Sequence, residues 1–272
     1  MLVMLALTGA GCLGNGSDEA GDGANDEPSK DSRGAIEIPW GLDSCRASWW
    51  LAPASAERLR EYLPEGFEPA PTPQLPGIDV AAGLDTYLGF DAFECRSGAG
   101  LNGTVEPIVF GSLFTRVTPP DDYAVHGLDG SYFFRWVVLV PDQPRFDRLA
   151  SLGLAVRMGG AQIEALTPTG SPGPWENTLD LEGLGTFTFT GSTTEAETPA
   201  DDVPYAAYTP AADDIATWRA TATNLTAALG WGTWTVEPGS WVADALGADQ
   251  GAGTFSVGTW SIADALLLIP ER

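Results

Sequence analysis

The chain has 272 residues and a formal net charge of −24 at pH 7, from 37 acidic side chains against 13 lysines and arginines. So negative a surface repels phosphate backbones and anionic lipid, which excludes nucleic acid as a partner. Hydrophobic residues make up 44% of the chain, with ten tryptophans and eleven phenylalanines, so a sizeable core is within reach.

In chain order the first feature is a short apolar run, Met1 to Thr8, that passes through Gly9-Ala10-Gly11 to Cys12. The arrangement resembles a lipoprotein signal, which implies cleavage before Cys12 and a lipid-modified cysteine as the mature N-terminus. Gly9 stands where an aliphatic residue is usual, and no positive charge precedes the run, as would follow if translation began upstream. The alternative is a flexible N-terminus with a stray cysteine. The run is far too short to span a hydrocarbon core, which needs roughly 20 residues, so the membrane is reached through the anchor alone.

Residues 13–38 are rich in Gly, Ser, Asp and Glu and carry too little apolar surface to offset ordering entropy, which predicts a disordered acidic tether. This stretch holds seven acids against Lys30 and Arg33, so −19 of the net charge lies elsewhere. Residues 39–272 are then expected to form one domain. Lys30 is the only lysine, and few lysines with many surface acids fit a halophilic protein whose self-repulsion is screened by salt. The acids could instead bind calcium through Asp121-Asp122, Asp201-Asp202 or Asp213-Asp214. None of these has the glycine and terminal glutamate of an EF-hand loop, and no metal is assigned.

The body reads mostly as strands. Arg46 to Leu51 is extended; Pro53 and Ser55 introduce a helix with Ser55 as cap and Leu59 and Tyr62 facing inward, ended by Pro64-Glu65-Gly66. A proline-rich connector, Pro69 to Pro76, leads to one or two strands within Ala81 to Arg96. Asn102-Gly103 is a hairpin turn signal, with a return strand from Thr104 to Val117. Tyr132 to Val140 is a continuous apolar strand buried on both faces. Asp142 then caps a short helix that stops at Gly153. Strands follow at Leu154–Leu166, Gly185–Thr190, Trp218–Thr223 and Trp231–Val236, then a helix at Ser240–Leu246 and closing strands within Thr254–Ile269. About nine strands without regular βα alternation predict a mainly β fold, an antiparallel or mixed barrel with a few short peripheral helices.

Little in the chain reads as a catalytic motif. His126 is the single histidine, which removes histidine-rich zinc sites, and no Gly-x-Ser-x-Gly elbow accompanies it. It reads as a surface side chain. No glycine-rich segment ends in the Gly-Lys-Ser/Thr that cradles phosphate, so no cofactor is expected. Cys45 and Cys95, the two body cysteines of an exported chain, are expected to be bridged, the alternative being two separate buried thiols. Glu94, Glu106 and Glu164 stand in apolar context, as do Arg116, Arg135 and Arg157. A partly buried guanidinium needs an anionic partner, either one of these glutamates or the carboxylate of a ligand.

The stretch Ala47 to Pro69 (ASWWLAPASAERLREYLPEGFEP) resembles the opening of acetoacetate decarboxylase-like proteins, in which a strand leads into a short helix ending in a Leu-Pro-x-Gly-x-x-Pro turn. The order of strand 132–140, helix 144–152 and strand 154–166 is similar too, as is the ending from Gly232 through Pro238-Gly239-Ser240. The resemblance implies a β-barrel-like cone around an apolar pocket. It also implies Schiff-base chemistry by a lysine pair in the strand after the second helix. Arg157-Met158-Gly159-Gly160 stands there instead, so that chemistry is lost. The expected function is binding of a small apolar or organic-acid ligand, with Arg116, Arg135, Arg157, Met158 and Glu106 as candidate ligand-binding residues. The alternative is an exported lyase or hydrolase using Glu and Arg in the cavity. A cavity lined by such charges favours the enzyme and an all-apolar one favours binding. Nothing in the sequence fixes an oligomeric state.

Overall fold

The structure, a computed structural model, describes residues 35–71, 83–99, 108–125, 128, 132–140, 143–165, 173–181 and 185–270. Among these lie thirteen strands and three short helices. The first half comprises β1 (Ala35–Ala54), α1 (Ala56–Arg60), β2 (Glu68–Pro69), β3 (Thr86–Ala99), β4 (Ile108–Thr118), β5 (Tyr132–Val140) and α2 (Gln143–Ser151). Then come β6 (Val156–Ala165), β7 (Gly173–Leu181), β8 (Gly185–Thr193), β9 (Thr198–Pro199), β10 (Val203–Ala211), β11 (Asp214–Thr223), β12 (Thr226–Val236), α3 (Trp241–Leu246) and β13 (Gln250–Pro270).

One mixed sheet closes on itself through the β4–β5 and β12–β13 pairings. Most ladders are antiparallel; β5 runs parallel to both β10 and β6, pairing Tyr132–Phe134 with Ala206–Tyr208 and Val138–Val140 with Val156–Met158. The sheet therefore forks at two strands. The first half of β13 pairs with β12 and its second half with β11, so two routes lead from β13 to β5. The short route is β11–β10 and the long one is β12–β8–β7–β6, and both share the wall β1–β3–β4. Where β13 passes from one partner to the other it must come close to β12. Gly258 stands there, and a Cβ would strike the Thr226 carbonyl.

A wall flanked by both routes is buried on both faces, which is why Trp50–Ala54 of β1 and Thr86–Phe93 of β3 are buried residue after residue. One face carries Trp40, Leu42, Ala47, Phe93 and Cys95 into a core completed by Trp218, Trp260 and Leu267. The opposite face carries Trp50, Ala52, Leu88 and Phe90 into a second core with Phe187, Phe189 and Phe255. Trp50 lies between Phe189 and Phe255 with ring centroids at 4.0 and 4.1 Å. The cysteines stand opposite each other in the β1–β3 ladder and their sulfurs are bonded, as expected.

Several expectations need correction. The strand β1 begins at Ala35, so the barrel takes in residues 35–38 that composition places in the tether. These residues pair with Leu267 to Pro270, and the partner strand supplies the order that their own composition does not. Ser55 occupies the N-cap of α1 without making a cap bond. The oxygen that accepts from the Ala56 N–H, at 2.8 Å, is Oδ1 of Asp85. By contrast Ser240 does cap α3, accepting from Ala243 N, and Gly247 closes that helix at φ 72°. The strands β7 and β10 stand in addition to those the sequence pattern predicts. The turn at Asn102-Gly103, the cap at Asp142 and His126 lie outside the described residues.

Candidate functional site

A cavity of about 90 Å³ lies inside the ring closed by the short route, and each of β1, β3, β4, β5, β10, β11 and β13 contributes to its lining. Strand alternation selects which side chains reach it: Trp49 and Leu51 from β1, Asp91 from β3, Phe133 and Arg135 from β5. Its walls are largely aromatic, with Trp49 and Trp260 edge to face at 5.2 Å and Phe114 edge to face with Phe133 at 5.7 Å.

Asp91 and Arg135 are the charged groups among the described lining residues. Nη2 of Arg135 donates to Oδ2 of Asp91 at 3.2 Å, with side-chain exposures of 13% and 2%. The hydroxyl of Ser112 donates to the other carboxylate oxygen at 2.6 Å. Burial pushes the Asp91 carboxyl above its ordinary range, and Arg135 and the Ser112 bond pull it back only in part. Burial also raises the Tyr205 phenol to about 12, against the opposing pull of Arg135, so it is neutral at physiological pH.

Four buried polar atoms on lining residues lack a hydrogen-bond partner: Nε of Arg135, the Tyr205 hydroxyl, Oγ1 of Thr254 and Nε1 of Trp260. The Tyr205 hydroxyl lies near the guanidinium without completing a bond of ordinary geometry. Two of the four are obligatory N–H donors and two are hydroxyls that can donate. Unmatched buried donors are costly, typically about 1–3 kcal/mol each. The cavity's volume is below that of engineered cavities of about 150 Å³ that admit benzene, so a ligand held wholly within it is smaller than benzene.

Of the residues singled out from sequence, Arg135 lines this cavity. Arg116 is buried on β4 near the Tyr87 phenol, whose proton affinity burial raises and Arg116 lowers, but it is not part of the lining. Arg157 is exposed on β6, beside an outer cleft with Tyr62, Trp136 and Trp241, and Met158 next to it is half-buried. Arg157 therefore does not enter the barrel with Arg135. Glu106 lies outside the described residues. Arg135 pairs with Asp91 and not with one of the glutamates, and Glu94 is exposed. Position 91 is in step with Tyr87, Phe93 and Cys95 on the short-ring face, whereas Glu94 has the opposite phase.

Sequence reasoning passed over Asp91, Tyr205, Thr254 and Trp260. Asp91 had a readable signal, an acid in the inward phase of an otherwise apolar alternation. The other three lie on strands distant in sequence: Thr254 and Trp260 on β13, which reaches β3 across β1, and Tyr205 on β10, which meets it through closure of the ring. The opposite face of β1 carries a second cation, Arg46, whose guanidinium lies 4.9 Å from the Trp175 ring centroid with Nε and Nη2 unpartnered. Among the described residues no group of three or more His, Cys, Asp and Glu could hold a metal ion, and no helix is long and apolar enough to cross a membrane.

No family model matches the chain, and no curated protein matches it by sequence. Solved structures do. The enduracididine biosynthesis enzyme MppR with HEPES buffer bound aligns at 12% identity over 86% of this chain and 89% of that one, with a TM-score of 0.52. The same enzyme complexed with pyruvate aligns at 12% identity over 84% and 90%, TM-score 0.51. Acetoacetate decarboxylase from Legionella pneumophila aligns at 10% identity over 86% and 88%, TM-score 0.50. At such identities the likeness is one of fold, and this chain carries the acetoacetate decarboxylase-like fold.

Proposed function

We propose that the protein is exported and lipid-anchored through Cys12, and that its barrel binds a small organic acid, or a comparably small apolar molecule bearing an oxygen acceptor, without Schiff-base catalysis. The observation that carries the reading is one aromatic cavity, four of whose lining residues carry a buried polar atom without a hydrogen-bond partner. A ligand carboxylate or carbonyl would satisfy these donors while its carbon body packs on Trp49, Phe114 and Phe133. The related fold of MppR holds pyruvate, a molecule of the size this cavity suits. Imine formation needs a primary amine, and the only lysine, Lys30, precedes the barrel. Export is supported by the apolar run ending at Cys12 and by the Cys45–Cys95 bond, which belongs in an oxidising compartment.

The alternative, an exported lyase or hydrolase, draws on the Asp91–Arg135 pair, the one charge pair among described lining residues that are otherwise aromatic, aliphatic or hydroxyl-bearing. A carboxyl with raised proton affinity beside a fixed cation is a usable general acid or base. Thermal unfolding of the mature protein in high salt, with acetate, propanoate, pyruvate, acetone and propanamide in turn, tests the binding reading. Saturating ligand at about a hundred times Kd stabilises by roughly 2.7 kcal/mol. If none of the five raises the midpoint, the reading is wrong; chemical conversion of a bound one would favour the enzyme.

A further inference from the structure

We infer that the cavity takes up an organic acid together with one proton, the ligand carboxylate sharing Arg135 with Asp91 and the proton staying on the carboxyl pair. The inference rests on the small-ligand reading and adds to it a charge rule.

The geometry carries the argument. Asp91 occupies only part of the guanidinium: it accepts from Nη2, while Nε of the same lining residue is buried without a partner. The donors open to pairing with an incoming carboxylate are Nε and, on other lining residues, the N–H of Trp260 and the hydroxyls of Tyr205 and Thr254. The incoming carboxylate then lies within a few ångströms of Asp91. Two ionised carboxylates against one guanidinium leave a net negative charge in an aromatic enclosure, where charge is strongly penalised. Sharing one proton removes it, as paired carboxyls elsewhere do. The proton comes from solvent or enters on the acid itself; in both cases the complex holds one more proton than ionised site and free anion. A neutral ligand of the same shape imposes no such requirement.

Other titrating groups do not obscure the effect. The ring strands supply Asp91 from β3, Arg135 from β5 and Tyr205 from β10, whereas the described lining residues from β1, β4, β11 and β13 are aromatic, aliphatic or hydroxyl-bearing. Arg135 keeps its charge throughout. Tyr205, at about 12, stays neutral over the range to be tested.

The test is calorimetric titration of the mature wild-type protein with propanoate and with its neutral analogue propanamide, in buffers of different ionisation enthalpy, from about pH 5 to about pH 10. Propanoate affinity should be level where Asp91 is already protonated and fall about tenfold per pH unit once it ionises, while proton uptake climbs from zero to one. Propanamide should show neither trend. Asp91→Asn should abolish both for propanoate. Ser112→Ala, which removes a bond favouring the ionised carboxylate, should move the break in the propanoate profile to higher pH and serves if the asparagine variant does not fold. Failure of both ligands to bind defeats the small-ligand reading. Binding of propanamide alone, binding of propanoate at pH-independent affinity without proton uptake, or retention of the coupling in Asp91→Asn overturns the proton rule only.

Discussion

Phe114 covers Gly89, its partner in the β3–β4 ladder, so closely that a Cβ on residue 89 would lie 2.5 Å from the ring tip. The glycine thus sets where the ring can rest, and the ring is a wall of the cavity. In Gly89→Ala the displaced ring is expected to move into the cavity that it lines. We expect a modest stability loss, about 1 kcal/mol, with propanoate affinity reduced about tenfold or more. Urea unfolding and ligand titration on the same preparation separate the two effects. Lower stability with unchanged affinity would show that the ring moves elsewhere.

How far this site could be read from sequence follows from what each residue depends on. The run Tyr132 to Val140 has a single charge, Arg135, and its inward place follows from that run alone. The run also proved to be the strand where the sheet forks, consistent with burial on both faces. Cys45 and Cys95 needed only a count. The strand β7, sequence GPWENTLDL, and β10, VPYAAYTPA, contain proline, asparagine or aspartate and little β-branched residue, so local propensity speaks against them. They are strands because β6 and β8 flank one and β5 and β11 the other. Tyr205 was invisible for the same reason. Arg157 misled because the resemblance marks its strand, while strand phase leaves its side chain outside the barrel.

The Cys45–Cys95 bond ties β1 to β3 in the shared wall and closes a sequence separation of 50 residues. On the chain-entropy account its removal costs about 4 kcal/mol. Alkylation under denaturing conditions without reductant should leave both cysteines unmodified. The Cys45→Ala, Cys95→Ala double variant should unfold at correspondingly lower denaturant. Ready alkylation of either thiol would argue against the bond.

Because the folded-state pKa of Asp91 is raised, the native protein binds its proton more tightly than the unfolded chain does. The sign follows directly: this group favours folding most in acid, and its contribution declines as pH rises from the ordinary aspartate range through the raised value. In high salt, which screens repulsion among the surface acids, wild-type unfolding free energy should fall across that window. The Asp91→Asn variant should be flatter there. A wild-type profile that rises over the same window would contradict burial as the governing influence on this carboxyl.

If the run ending at Cys12 acts as a lipoprotein signal, intact mass and peptide analysis of protein from its native membrane should show cleavage before Cys12 and a lipid adduct on it. The Cys12→Ser variant should lose the adduct and be released from the membrane fraction on washing. A soluble wild-type protein that keeps Met1 is incompatible with the anchor.

The absence of a barrel lysine gives the most direct chemical prediction. A keto acid bound in the cavity meets Arg135, which is too basic to deprotonate and cannot form an imine, so it is held as an ion and not as an adduct. Borohydride reduction in the presence of acetoacetate or pyruvate should therefore leave the mass of every peptide from residues 39–272 unchanged, and acetoacetate should release no carbon dioxide above the uncatalysed rate. Pyruvate should nevertheless protect the protein against heat, since binding needs only the donors already present. A borohydride-stable adduct within the barrel would falsify the loss of Schiff-base chemistry, while protection without an adduct separates ligand binding from turnover on one fold.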